Sequence, residues 1–371
     1  MVLVIWLVTF PIFSFGQAPI SSIVPVPRQK IIDSFRPVTL GKFLKEENLS
    51  TDISFVLVDL DSTEVLEAIS PSIQFPLASL SKIITALYGL EILGSKYTFE
   101  TAVLSTVAIE NGVLNGDLIL LGGGDPGLTN DHLMYLVEEL FNAGLREVKG
   151  DFIVSSGDNI YHPFIDPAQP EYLSYNPSIS GLNLNFNRVL FEWEKVDEKY
   201  IFGLEAKSDI NSIRVSTTQV NLVNQKTSFS EENYNGKNDK WYFDEVFLKK
   251  SVQRWLPVRK SEKYAAQIFW KFSKRQGVKL PKPIFQNKKE NGRILSKIKS
   301  ISLDNNIRLM LKYSNNLMAE SIGLKATQKI AGKPKTLKAS AGNMQNWLES
   351  KIGKTKVKLI DMFPQTRHFE T

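Results

Sequence analysis

The stretch Pro76-Leu77-Ala78-Ser79-Leu80-Ser81-Lys82, running into Ile83-Ile84-Thr85-Ala86-Leu87, decides how this chain is read. Pro76 and Ser79 are good helix-start residues, and the apolar run behind them predicts a helix closing near Gly94. Ile83, Leu87 and Leu90 mark its expected buried face. A serine and a lysine three apart at a helix start share one face, a turn apart. The amine can then take the hydroxyl proton, as a Ser–Lys nucleophile requires. The pattern alone is not specific. Ser296-Lys297-Ile298-Lys299 repeats it, and an ordinary capping serine beside a solvated lysine reads the same.

The 371 residues suffice for two or three domains, and 43% hydrophobic with 23% charged residues is a globular composition. A net charge of +6 is a mild basic excess spread along the chain. With no zinc-finger spacing or aromatic-basic repeat, nucleic-acid binding is not expected. Cysteine is absent, which excludes disulfides and thiolate chemistry. The three histidines, His132, His162 and His368, never pair at ligand spacing, so no metal site or Ser-His-Asp triad is expected. A serine nucleophile here must find another base, and lysine fits.

Residues 2–15 are nearly all apolar, and Gly16-Gln17-Ala18 and a proline-rich stretch follow. This is expected to be a secretory signal over residues 1–18, cleaved after Ala18. No basic residue precedes the run, so an uncleaved anchor is the alternative, and membrane association is expected to be peripheral or through this segment. Further on, residues 53–59 and 64–69 predict a hairpin turning at residues 59–63. Residues 98–121 alternate as strands with turns at Asn111-Gly112 and Asn115-Gly116. Leu133, Leu136, Val137, Leu140 and Phe141 give a helix closed by Gly144, and strands resume over residues 148–155. Residues 201–239 are polar and β-leaning. Helices are expected over 264–276, 303–330 and 341–352, and a short strand over 357–360.

Three further clusters hold candidate chemistry. Ser314-Asn315-Asn316 interrupts helical sequence with poor helix formers, either as a plain loop or as a polar corner aimed into a cleft. There Ser314 would relay a proton and Asn316 would bond a substrate amide; Ser174-Tyr175-Asn176 repeats the pattern. Gly122-Gly123-Gly124-Asp125-Pro126 lacks the spacing of a phosphate loop and reads as a structural turn. Asn183, Asn185 and Asn187 could ligate a cation, but no carboxylate joins them, so a strand or loop with polar alternation is expected.

Taken in order, Phe75-Pro-Leu-Ala-Ser79-Leu-Ser-Lys82, Gly116-Asp-Leu-Ile-Leu-Leu-Gly-Gly-Gly-Asp125-Pro126 and Tyr313-Ser314-Asn315-Asn316-Leu-Met-Ala-Glu320 resemble the low-molecular-mass class C penicillin-binding proteins, the D-alanyl-D-alanine carboxypeptidase/endopeptidase family. The long interval between Ser79 and Ser314 fits that family rather than the related class A β-lactamases. The resemblance implies an α/β fold: a transpeptidase-like domain, with a five-stranded antiparallel sheet flanked by helices, built from residues 19–98 and 281–371. Residues 99–280 would form inserted β-rich accessory domains. It implies Ser79 as acylated nucleophile, Lys82 as its base, Ser314 as proton shuttle and Asn316 as the residue that orients the acyl donor. It also implies no metal or organic cofactor, peptidoglycan stem peptides as substrates, β-lactam antibiotics as acylating ligands, and a periplasmic location.

Two departures matter. The family's Lys-Thr-Gly strand has no counterpart; Lys354-Thr355-Lys356 lacks the glycine, and the tail from Met362 resembles a premature end. Ser155-Ser156 stands where the family often carries an acidic residue, with Asp158 a substitute in a shifted register, so no acidic site residue is carried over. The expectation is therefore a serine-type D-Ala-D-Ala carboxypeptidase/endopeptidase. A catalytically impaired penicillin-fold protein that binds cell-wall peptide or acts as a scaffold is the alternative, and a β-lactamase stands behind it.

Overall fold

The computed structural model describes residues 39–47, 53–197, 199–223, 230–231, 238–244, 248, 253–286, 292–333 and 335–359. They fall in two units, the described residues up to Leu77 and those from Ala78 onward. The expected signal segment lies outside the described residues.

In the first unit Thr39 caps α1 (Leu40–Glu46), its hydroxyl accepting from the Lys42 N–H. The Glu67 carboxylate accepts from the N–H groups of Leu40 and Gly41 at 3.1 and 3.0 Å, satisfying two donors that a helix start leaves open. Glu67 belongs to β2 (Val65–Ile69), which pairs antiparallel with β1 (Phe55–Val58). Asp59 Oδ1 accepts from the N–H groups of Asp61 and Ser62, so the expected hairpin turn forms as an Asx turn.

The second unit begins with α2 (Ser81–Leu93), ended by Gly94 at φ 90°. Then come β3 (Glu100–Ser105), β4 (Val113–Leu114), β5 (Leu118–Leu121), α3 (Asn130–Asn142), β6 (Glu147–Val148) and β7 (Phe152–Ser155). Strands β8 (Arg188–Val196), β9 (Lys199–Lys207), β10 (Ser212–Arg214), β11 (Thr218–Leu222), β12 (Ser230–Glu231), β13 (Asp239–Phe243) and β14 (Gln253–Pro257) lead to α4 (Ser261–Gln276). The chain closes with β15 (Pro283–Gln286), β16 (Arg293–Lys299), α5 (Leu303–Tyr313), α6 (Asn316–Ala331) and α7 (Leu337–Ile352). No described helix is long and apolar enough to cross a membrane.

One sheet runs β15-β7-β5-β3-β16, parallel from β15 to β5 and antiparallel across β3. Its inner strands β3, β5 and β7 are buried on both faces and read as apolar runs. Val103, Leu118, Leu120, Phe152 and Val154 join the core that α3 and α4 complete. Ala102, Leu104, Ile119 and Ile153 form a second cluster on the other face. Further sheets order as β10-β9-β8-β14 and β11-β13-β12, so the polar region is β-rich as its sequence suggests. Between Glu110 and Val113, Asn111 and Gly112 both take positive φ, the two-residue turn their sequence predicts.

Helices α2, α5, α6 and α7 bury Tyr88, Met310, Met318, Ile322 and Met344 in a separate core. The Tyr88 hydroxyl meets Thr327 Oγ1 at 3.0 Å, and that oxygen meets Ser340 Oγ at 2.7 Å, joining three of the helices through a buried chain of hydroxyls. At Gly89 a methyl would stand 2.6 Å from the Ile322 side chain, which is how closely α2 and α6 approach.

The structure corrects several expectations. The buried face of α2 is Ser81, Thr85, Tyr88 and Gly89, with Lys82 and Ala86, whereas Ile83 and Leu87 are 39% and 55% exposed and Leu90 is half-buried. Small and hydroxyl residues set this face because α6 packs so closely; aliphatic size pointed to the wrong side. The helical region 303–330 is two helices, broken at Ser314. Residues 357–359 are irregular rather than a strand, with Leu359 held by a bond from its N–H to Gln345 Oε1, and Ile360 lies outside the described residues. Of the strand or loop expected at Asn183-Leu-Asn185-Phe-Asn187 the structure has the loop, a left-handed turn with φ of 49°, 58° and 50° at Asn185, Phe186 and Asn187. The α/β class with β-rich additions holds. A five-stranded mixed sheet is built over residues 100–299, and of the antiparallel sheet expected from residues 19–98 and 281–371 the described residues show the β1–β2 hairpin.

Candidate active site

Ser79 lies one turn before α2, in the 3-10 turn Ala78–Leu80, and is exposed. Ala78 takes φ 44°, a left-handed value that an alanine adopts only under constraint. The Ser81 hydroxyl donates to the Ala78 carbonyl at 2.8 Å and ties that turn to the helix. Ser79 is thus not the capping serine of the ordinary reading; α2 has no side-chain cap. Nor is Lys82 a solvated lysine. It is 1% exposed, and its Nζ donates to Ser79 Oγ at 3.5 Å. Taking an ammonium-bearing side chain out of water costs several kcal/mol, so a buried lysine beside a hydroxyl is not a default surface choice.

The second cluster arrives from the other end of the unit. Ser314 ends α5 at φ 52°, a conformation unfavourable for most side chains. Asn315 caps α6, its Oδ1 accepting from the Met318 N–H at 3.0 Å. Asn316 is the first residue of α6 and is 5% exposed. The poor helix formers are there because each performs a task that helix interiors do not need. Their outcome is that Ser314 Oγ stands 2.6 Å from Ser79 Oγ, across 235 residues of sequence. Ser79, Lys82 and Ser314 therefore form one continuous hydrogen-bonded set, with both serines exposed and the lysine buried. Asn316 joins differently. Its Nδ2 donates to the Tyr175 carbonyl at 3.1 Å, and its Oδ1 is buried with no hydrogen-bond partner among the described residues.

The remaining candidates are structural. A methyl at Gly123 would lie 2.1 Å from the Glu100 carbonyl oxygen, and Gly124 takes φ 86°. The glycine run is therefore a packing turn, as its sequence suggests. In the same turn Asp125 is buried, and desolvation raises its carboxyl to about 6. The asparagines of the left-handed turn bond within the protein: Asn187 Nδ2 donates to Asn183 Oδ1 at 3.0 Å, and Asn185 Nδ2 to the Tyr264 hydroxyl at 3.2 Å. At Ser155-Ser156 the carboxylate comes from a residue that spacing could not reveal. The Ser156 hydroxyl bonds Glu262, in the first turn of α4, whose carboxyl burial pushes up. Asp158 instead contributes a favourable field at Lys325, whose amine burial pulls down.

The family model of the D-Ala-D-Ala carboxypeptidase 3 (S13) family matches residues 38–362. D-alanyl-D-alanine carboxypeptidase DacB of Haemophilus influenzae is 23% identical over 308 residues, which cover 78% of this chain and 62% of that protein. A D-alanyl-D-alanine carboxypeptidase of Actinomadura sp. strain R39 is 31% identical over 131 residues, 35% of this chain and 24% of that one. The chain thus spans less than two thirds of the length of these curated relatives. The crystal structure of penicillin binding protein 4 from Haemophilus influenzae shares the fold at TM-score 0.69 and 21% identity, over 84% of this chain and 71% of that one. Its complex with a β-lactam gives 0.67 at 20% identity, over 84% and 70%.

Proposed function

The chain belongs to the D-Ala-D-Ala carboxypeptidase 3 (S13) family, and on that footing we propose that it is a serine-type D-Ala-D-Ala carboxypeptidase/endopeptidase acting on peptidoglycan stem peptides. The observation that carries this is the Lys82–Ser79–Ser314 set, at 3.5 and 2.6 Å. Ser79 Oγ attacks the penultimate D-alanine carbonyl and its proton passes to the Lys82 amine. The proton held by Lys82 passes through Ser314 to the departing D-alanine nitrogen, leaving an ester on Ser79 that water hydrolyses, restoring the hydroxyl and releasing a carboxylic acid. The Ser79 N–H stands at a helix start, where the first N–H groups lack helical acceptors, and serves as one donor to the oxyanion. Asn316 orients the acyl donor. β-Lactams acylate the same serine. We assign residues 19–98 and 281–371 to the catalytic part, residues 99–280 to the insert, and residues 1–18 to a signal for export to the periplasm.

The test is covalent labelling of the purified chain by a fluorescent penicillin. An adduct that Ser79→Ala abolishes supports the reading, and an unlabelled wild-type chain overturns it. A second reading has its own support, since Lys82 reaches Ser79 only at 3.5 Å. In it the chain takes up cell-wall peptide without turnover. Release of D-alanine from a stem pentapeptide separates the two.

A further inference from the structure

The chance repeat Ser174-Tyr175-Asn176 sits against the site in the folded chain. Its segment, residues 163–176, is held by two arginines at and just beyond β14. Arg259 is fully buried; Nη1 donates to the carbonyls of Pro163 at 3.1 Å and Asn176 at 2.5 Å, and Nη2 to that of Glu171 at 2.5 Å. Arg259 is fixed in turn, its N–H donating to Asp239 Oδ2 at 2.8 Å and its carbonyl accepting from the Tyr161 hydroxyl at 2.8 Å. Arg254 lies over the Tyr172 ring at 5.1 Å. Inside the segment, Asn176 Oδ1 accepts from the N–H groups of Ile165 and Asp166, and its Nδ2 donates to the Asp166 carbonyl.

A guanidinium buried among backbone carbonyls fixes those carbonyls in place, because leaving any of its N–H groups unmade there is costly. The neighbouring carbonyl, that of Tyr175, is the one that receives Asn316 Nδ2. An amide that gives its nitrogen to one side must turn its oxygen to the other, and Asn316 Oδ1 is the atom left without a partner. We propose that Arg259 is a positioning residue for the reaction. Through segment 163–176 it sets the Tyr175 carbonyl, which selects and holds the amide orientation of Asn316. This rests on the acyl-transfer reading above.

The test compares the wild-type chain with Arg259→Met and Asn316→Asp. One readout is the rate of Ser79 acylation by a fluorescent penicillin, per folded molecule. The other is the Asn316 side-chain amide by NMR in protein labelled with 15N-asparagine, assigned by its loss in Asn316→Asp. Arg259→Met is expected to acylate about 10-fold more slowly and to speed exchange of the Asn316 amide protons by a similar factor, the scale of one lost orienting bond. Asn316→Asp keeps the acceptor but sets an oxygen against the Tyr175 carbonyl, so about a 100-fold loss is expected. A folded Arg259→Met with wild-type acylation and an unchanged Asn316 amide overturns the proposal, as does Asn316→Asp acylating normally. Should Arg259→Met fail to fold, Asn176→Asp, which exchanges the bond to the Asp166 carbonyl for an opposing oxygen and so loosens the same segment, decides by the same two readouts. A wild-type chain that takes no penicillin refutes the acyl-transfer reading instead, and the amide exchange alone then decides the positioning claim.

Discussion

Ser79-Leu-Ser-Lys82 and Ser296-Lys-Ile-Lys299 are the same pattern on two backbones. The first straddles a strained turn and a helix, so its serine and lysine meet at 3.5 Å. The second lies on β16, where residues three apart point to opposite faces. Ser296 is buried in the sheet and Lys299 is exposed, so neither can serve the other. The difference teaches that the spacing carries chemistry only when a helix supplies the turn that brings i and i+3 together.

The comparison is broken most severely by exchanging the serines. Ser79→Ala is expected to abolish penicillin labelling, while Ser296→Ala leaves it unchanged; labelling lost in the second would place the nucleophile elsewhere. Lys82→Ala should cut the acylation rate about 10²–10⁴-fold, the range for losing a general base, with Lys299→Ala as the silent partner in the same stopped-flow assay.

Smaller effects probe the frame that brings the first copy into register. Gly123→Ala drives a methyl into the Glu100 carbonyl, and urea unfolding should show a loss of about 3 kcal/mol. Asp125→Asn works the other way. Its folded value of about 6 lies above the ordinary 3.8, so the carboxyl adds stability when protonated and loses it as pH rises from 4 through 6. The asparagine variant should gain about 2 kcal/mol at pH 7 and nothing at pH 3, measured as ΔG of unfolding. A gain that did not vanish in acid would assign the cost to something other than ionisation.

Much of the frame was legible because its signals are local. Asn111-Gly112 needs positive φ, Gly144 and Gly277 follow helix ends, and the Asp59 turn is written in its own side chain. The Ser79, Lys82 and Ser314 juxtaposition was legible only through the order of motifs, since no spacing rule joins residues 235 apart. What stayed hidden was long-range or small-residue packing. Ile83 and Leu87 outweighed Gly89 on any hydrophobicity scale, yet Gly89 is what meets α6. Glu262 reaches Ser156 across 106 residues, and Arg259 acts through backbone carbonyls that no side-chain pattern records.

The pairing of β3 with β16 has a consequence for how the chain reaches its folded state. Glu100 and Lys299 are direct partners in that ladder. Once it has zipped, the path from Ser79 to Ser314 shortens from 235 residues to the 21 before Glu100 and the 15 after Lys299. Loop-closure entropy grows with the logarithm of length, so this shortcut lowers the cost of bringing the two serines together by about 1.7 kcal/mol. The β3–β16 ladder, which joins the insert to the residues that follow it, is thus the clasp that lets the two ends of a long excursion find one another, and the site should be the last part of this unit to assemble.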